Sequence, residues 1–299
     1  MRNLTDIKSR IKGVSDTRQI TSAMETISVA KMHKAHQRYE ANKQYFDKIR
    51  AVIKDIITRT KDVTHRYIAE KRGGRAVFIV IASDKGLAGG YNHNVLNKAW
   101  ELMSEYSERY IFTVGQVARE FFEHKKAVVD VEFTHATRDP TIRDAAEIAD
   151  SIINLYDQGL MDEVYIVYTE PETGAAAVAR SMKLLPLSKE TVIGGIEDAP
   201  YKNEDYYREI YYDPSPEAVL NELVPQYLIG VIYSALIQSV AAEHSSRMAA
   251  MSSASRNATE LLEKLRLEYN RARQESVTNE LIEIVTSSFG TENRTATER

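Results

Sequence analysis

The feature that most constrains this chain is a pair of long, helix-prone stretches, one at each end. Residues 3 to 60 contain no proline and a single glycine, Gly13. Apolar side chains recur at Leu4, Ile7, Ile11 and Val14; the stripe then shifts to Ile20, Ala23/Met24, Ile27 and Ala30, and resumes at Tyr45, Ile49, Val52, Ile53 and Ile56. Steps of three and four are the period of an α-helix. One helix of that length would reach roughly 85 Å at about 1.5 Å per residue. A domain of ordinary size cannot bury it, so it must project or pack against something equally long.

The other end of the chain supplies such a partner. From Pro214 the sequence reads "PSPEAVLNELVPQYLIGVIYSALIQSVAAEHSSRMAAMSSASRNATELLEKLRLEYNRARQESVTNELIEIV", broken inside only by Pro225 and Gly230. Ser215 is placed to cap the helix, with Pro216 at its first position. Met251, Ala254, Ala258, Leu261 and Leu265 step by three and four, as a coiled-coil seam does. The two ends together predict a long antiparallel coiled coil, with shaft helices over residues 1–61 and 214–286. The polar stretch "TSSFGTENRTATER", from Thr286, is expected to fray, and residues 287–299 form a polar tail.

Between the helices, from residue 62 to 213, the pattern changes at "KRGGR" (Lys71 to Arg75). Strand-like runs are Ala76–Ala82, Arg109–Val114, Ala127–His135 and Asp162–Tyr168. Helix-like runs are Asn94–Tyr106, Gln116–His124 and Thr141–Gly159. Such alternation predicts a Rossmann-like α/β domain with a mostly parallel sheet. "AVVDVEF" alternates apolar and polar residues, which suits a half-exposed edge strand. Ala175–Leu187 and Arg208–Tyr212 are candidates for further strands.

One turn in this domain invites a catalytic reading. "SDKGLAGGYN" (Ser83 to Asn92) joins an apolar strand to a helix, where many proteins cradle phosphate. A Walker loop needs Gly-x-x-x-x-Gly-Lys-Ser/Thr, yet here Tyr91 and Asn92 follow Gly89 and Gly90. Gly-x-Gly-x-x-Gly is missing too, and Glu101 and Glu105 fall within the predicted helix rather than at a strand end. The glycines read as turn geometry. His33 and His36 could share a helix face, but His-Glu-x-x-His is absent and a solvated face explains them. No Gly-x-Ser-x-Gly elbow occurs. No catalytic residue, cofactor site or metal site is assigned.

Composition bounds the remaining classes. There is no cysteine, so disulfides and thiolate chemistry are excluded, which fits a reducing compartment. No secretory signal pattern stands at the start, and no run of about 18 consecutive apolar residues suggests a membrane span. The expectation is a cytosolic protein. Net charge is -4, unevenly spread: residues 1–61 carry a balance of +8, residues 62–213 of -9 and residues 214–299 of -3. A basic arm can meet nucleic acid, an acidic membrane or an acidic protein. Its cations lie on several faces, and Tyr39 and Tyr45 are too few for base stacking. From Tyr269 to Glu283 the last helix thins to Ala272, Val277 and Leu281 among polar residues, unlike a helix docked on one fixed partner. A nucleotide-binding α/β enzyme and a helical nucleic-acid adaptor stay open on these grounds.

Three blocks carry a family resemblance. "LTDIKSRIKGVSDTRQITSAMETISVAKMHKA" (Leu4 to Ala35) has an Ile-Thr-x-Ala-Met core at Ile20 to Met24. "SDKGLAGGYN" is similar to a Ser-Asp-Arg-Gly-Leu-Cys/Ala-Gly motif, with Ala88 where relatives often have cysteine. "EHSSRMAAMSSASRNATELLEKLRLEYNRARQESVTNELIEIV" (Glu243 to Val285) is the most specific. In this order they resemble the gamma subunits of rotary F-type ATP synthases over essentially the whole chain. Ser22 departs from the lysine common there, and no plastid-type cysteine insert is present. The resemblance implies a non-catalytic rotor shaft that couples ion-driven rotation to nucleotide chemistry elsewhere. Its implied partners are the alpha and beta subunits of the hexamer, the epsilon subunit and the c-subunit ring, with no nucleic acid. It implies a peripheral place on the cytoplasmic face of a bacterial inner (plasma) membrane. By motif it assigns partner contacts to Met24, Lys85, Arg273, Gln274, Thr278, Glu280 and Glu283.

Overall fold

The structure, a computed structural model, describes residues 4–59, 65–68, 74–172, 177–187 and 212–296. It divides into two compact units: Met1–Thr26 with Ala250–Arg299, and Ile27–Ala249. Both long helices form. α1 spans Leu4–Arg59, and the last helix, α5, spans Pro216–Ala296 and continues through Pro225. α5 thus runs beyond Thr286, where polar composition alone predicts fraying.

The larger unit contains the sheet. In chain order its elements are β1 (Arg75–Ile81), α2 (Tyr91–Met103), β2 (Glu108–Val114), α3 (Gln116–His124), β3 (Val131–Phe133), α4 (Ile142–Asp157), β4 (Glu163–Pro171) and β5 (Ala177–Leu185). The strand order is β3-β2-β1-β4-β5. β1 pairs in parallel with β2 and β4, β2 in parallel with β3, and β4 antiparallel with β5. Strand residues alternate between faces, and β1 shows the result. Val77, Ile79 and Ile81 join the core that contains α4, α1 and α5, whereas Ala76, Phe78 and Val80 join the core under α2 and α3. A sheet covered on both faces needs strands apolar at nearly every position, which is why "AVFIVIA" does not alternate.

Local chemistry fixes the ends of these elements. Thr141 caps α4: its hydroxyl accepts the Asp144 N–H at 3.3 Å, and the Asp144 carboxylate accepts the Thr141 N–H at 2.7 Å. Gly115, between β2 and α3, has φ +96°, and a Cβ there would stand 2.4 Å from the Ala82 carbonyl oxygen. Only glycine satisfies both conditions.

In this unit α1 and α5 run antiparallel. The Tyr45 hydroxyl donates to Gln226 Oε1 at 3.1 Å, and the Tyr212 hydroxyl to Asp55 Oδ2 at 2.8 Å. A Cβ on Gly230 would lie 2.1 Å from the Phe46 ring, so the missing side chain is what lets the two helices approach. By length and mean hydropathy α5 holds one stretch apolar enough to cross a membrane, although its apolar residues are not consecutive. Most of that stretch is buried inside the protein, with Leu220, Val224, Leu228 and Ile232 in the same core as Ile53, Ile56 and Val77. A core packed on two sides accounts for its apolarity.

Two expectations need correction. The run Ala127–His135 yields only Val131–Phe133 as strand. Just before it, Asp130 replaces the ladder with its own groups: its carboxylate accepts the Ile111 N–H at 2.7 Å and its N–H donates to the Ile111 carbonyl at 2.9 Å. β3 is nonetheless an edge of the described sheet, as the alternation suggested. α2 starts at Tyr91, not Asn94, so it begins directly after the glycine turn. Of the two extra strand candidates, the first is β5, and residues 208–211 lie outside the described residues.

Candidate partner interface

In the smaller unit, α1 and α5 again run antiparallel. Leu4 and Ile7 share a groove with residues from Glu268 to Glu283, while Arg18, Ser22 and Thr26 share one with Ser255 and Thr259. The α5 seam is Met251, Ala258, Leu262 and Leu265, all buried, followed by half-buried Tyr269, Ala272 and Ser276. Leu261, expected in the seam, is exposed. The period of threes and fours holds, but the seam takes Leu262 rather than Leu261, while Ala254 and Ser255 are both half-buried. Past Tyr269 the seam uses small residues, which narrows the buried strip further.

The residues assigned by motif on α5 lie outside this seam. Arg273, Gln274, Thr278, Glu280 and Glu283 are all exposed. Thr278 turns its hydroxyl back to the Gln274 carbonyl at 2.8 Å, as mid-helix threonines do. Glu280 and Glu283 border the groove beside Leu4 and Ile7. Val277, Leu281, Ile282, Ile284 and Val285 are also at least half exposed. This is a mixed polar and apolar outer surface that the chain itself leaves uncovered among the described residues.

α1 inverts the expected stripe. Ile20 is 61% exposed and Ile27 56%, and Ala23 is exposed with them, whereas the buried positions are Thr21 and Ser28. Met24 is half-buried. The heptad continued from Ile7, Ile11 and Val14 arrives at Thr21 and Ser28, so register, rather than hydrophobicity, carried the signal. Thr21 is tolerated inside because its hydroxyl bonds the Arg18 carbonyl at 3.0 Å. Ile20 and Ile27 are interface candidates that reading by hydrophobicity missed.

Lys85 belongs to the other unit. The turn that carries it is tied to its surroundings. Asn92 Oδ1 accepts the Ser83 N–H at 3.0 Å, and the Ser83 hydroxyl donates to the Lys85 carbonyl at 2.7 Å. Asp84 Oδ2 accepts the Thr137 hydroxyl at 2.7 Å, and Asp84 Oδ1 accepts the Gln116 N–H at 3.3 Å. Arg247 of α5 reaches the Gly86 carbonyl at 3.2 Å and also pairs with Glu243 at 2.6 Å. Ala88 and Tyr91 are buried against Ala242. Burial first, and the nearby Glu243 charge next, push the Tyr91 hydroxyl pKa up, so it stays protonated. Lys85 and Leu87 point outward, Leu87 at φ +64°. A non-glycine residue at that angle stores strain, and such residues gather at functional surfaces. The turn is a fixed display platform whose backbone is engaged by its own protein.

The two antiparallel helices and the sheet between them in sequence have counterparts in known rotary machines. The rotor of the Euglena gracilis mitochondrial ATP synthase aligns with a TM-score of 0.62 at 14% identity, over 92% of this chain and 98% of that one. The central stalk of the Tetrahymena thermophila mitochondrial ATP synthase aligns with a TM-score of 0.58 at 20% identity, over 79% and 99%. The fold is thus that of a central-stalk chain. A family model described as ATP synthase matches residues 3–288. The ATP synthase gamma chain of Caldanaerobacter subterraneus subsp. tengcongensis is 40% identical over 95% of this chain and 98% of that relative. The gamma chain of Acetobacterium woodii, named as sodium ion specific, is 35% identical over 95% and 97%. The chain belongs to the ATP synthase gamma chain family. It is a non-catalytic subunit of the ATP synthase rotor stalk.

Proposed function

We propose that the smaller unit works inside a hexamer of alpha and beta subunits, and that the larger unit meets the epsilon subunit and the c-subunit ring. On this reading the chain lies on the cytoplasmic face of the membrane as a peripheral part of the complex. One observation carries the proposal: beyond Tyr269 no described side chain of α5 is fully buried, although the helix continues. A helix face left open over several turns has a partner outside its own chain.

The chemistry of that face suits a surface that must bind and release. A shaft can bias a catalytic site only through interaction free energies that differ between conformations of the site. Exposed polar pairs contribute about 0–1 kcal/mol each, enough to bias a dwell and weak enough to leave it. Arg273, Gln274, Thr278, Glu280 and Glu283 supply such contacts, with Met24 on α1 facing beta-subunit loops and Lys85, in the other unit, facing an acidic beta-subunit element.

Co-purification tests the assembly: the tagged chain should bring down alpha, beta and epsilon subunits with ATPase activity, and recovery of the chain alone would refute it. Met24→Lys should lower proton or sodium transport per ATP hydrolysed in reconstituted vesicles; an unchanged ratio would remove Met24 from the coupling surface. Arg273→Ala combined with Gln274→Ala should reduce turnover or hexamer assembly, and wild-type levels of both would exclude a contact role.

A further inference from the structure

A concave site lies wholly within the larger unit. Lys31, Lys34 and Arg38 follow one another at steps of three and four, so they share one face of α1. They border a cavity of about 270 Å³. Arg138 borders it from the loop before α4, and His244 from α5. Its apolar floor includes Ala35, Ile237 and Val240, all buried.

The donor set is one-sided. Arg247 Nη1 lies 3.3 Å from His244 Nδ1. A guanidinium can only donate, so Nδ1 is the acceptor and the proton of the neutral ring sits on Nε2. The ring is neutral at physiological pH because burial, then the Arg247 and Lys31 charges, push its pKa down to about 4. His244 is 7% exposed, and among the described residues no acceptor meets its Nε2–H. The single acid on the rim is Asp139, which is 59% exposed and accepts from both Arg38 and Lys34. Glu243 and Asp84 are engaged by Arg247 and Arg138 respectively. Like charges at these helix spacings repel, and with Arg138 paired to Asp84, Asp139 alone does not balance the three cations of α1, Lys31, Lys34 and Arg38.

We propose that this cavity binds a phosphate-class oxyanion, held by the Lys31 and Lys34 ammonium groups, the Arg38 guanidinium and the His244 Nε2–H. Its volume lies below the range of about 300–1,000 Å³ typical of drug-sized sites, so a small ion fits better than a whole nucleotide. The apolar floor lowers the local dielectric and strengthens each charged contact. Asp139 competes for Lys34 and Arg38, and so sets the affinity.

Titration of the full-length chain with inorganic phosphate, followed by equilibrium dialysis with labelled phosphate, tests the site. ADP and sulfate form the comparison arms. One saturable phosphate site is expected, with sulfate competing and ADP no tighter than phosphate. His244→Leu and Lys31→Gln should each weaken binding roughly tenfold or more, the usual worth of one charge-assisted hydrogen bond. His244→Gln, which keeps an N–H donor, should retain it. Asp139→Asn should tighten it about two- to fivefold, the scale of a partly exposed charge pair. Absence of saturable phosphate binding overturns the proposal, as does wild-type affinity in His244→Leu and Lys31→Gln. Tighter binding of ADP than of phosphate rejects the small-ion assignment. Asp139 is exposed, so Asp139→Asn should fold normally, and no gain in affinity there counts against the site even if the His244 variant fails to fold.

Discussion

Two stretches of α5 follow different packing rules. From Pro216 to Ala249, Leu220, Val224, Leu228, Ile232 and Leu236 are almost wholly buried, together with Tyr227, Ala235 and Ile237 on adjoining faces. From Ala250 to Val285 only Met251, Ala258, Leu262 and Leu265 are buried, a single narrow seam. In the first stretch the helix packs on α1 and on the sheet-side core at once. In the second, its described partner within the same unit is one helix. The width of a helix's buried face therefore counts its partners within the chain.

The largest test of this contrast is Ile53→Ala. Ile53 is 0% exposed, and loss of its buried methyl groups should cost about 2–5 kcal/mol, read from denaturant unfolding of the isolated chain. A cost below the range for ordinary surface changes would mean that the wide face is not a packed core. Next comes Gly230→Ala, which drives a methyl into the Phe46 ring and should destabilise by about 1–3 kcal/mol. Gly13→Ala, in the smaller unit, meets nothing within 4 Å and should instead stabilise by about 0.5–1 kcal/mol through helix propensity. The same substitution with opposite signs would confirm that crowding belongs to one unit. The smallest effect is expected for Leu281→Ala. Leu281 is 57% exposed, so stability should stay within about 0.5 kcal/mol, and a larger loss would reveal a contact that closes the seam.

Acidity provides a further probe of the packed unit. The unfolded chain protonates His244 near its ordinary value of 6.5, while the folded chain resists until about 4. Between those values the unfolded state binds more protons, so this contribution is intact above 6.5 and falls away as pH drops toward 4. Denaturant midpoints at pH 7 and about pH 5 should differ less in His244→Gln than in wild type; an equal difference would mean that His244 does not titrate with unfolding.

Much of the fold was legible because its signals were local. α3 matches the run Gln116–His124 residue for residue, and β1 is an unbroken apolar strand as a doubly covered sheet requires. The errors arose where a choice depended on a partner. A seam of threes and fours through Met251, Ala258 and Leu265 permits either Leu261 or Leu262, and hydrophobicity cannot choose between two leucines. On α1, hydrophobicity chose Ile20 and Ile27 for the interior, and register placed Thr21 and Ser28 there instead. The seven proposed contact residues came from motif matching, since a contact with another chain would leave no geometric mark within this one. The cavity at Lys31, Lys34 and His244 escaped because it joins residues more than 200 positions apart.

Arg247 has a mechanical consequence. It holds Glu243 on its own helix and the Gly86 carbonyl of the turn, so within this unit one charge-assisted hydrogen bond joins the turn to α5. A displacement of α5 at Arg247 would therefore be felt at the Gly86 carbonyl of the turn.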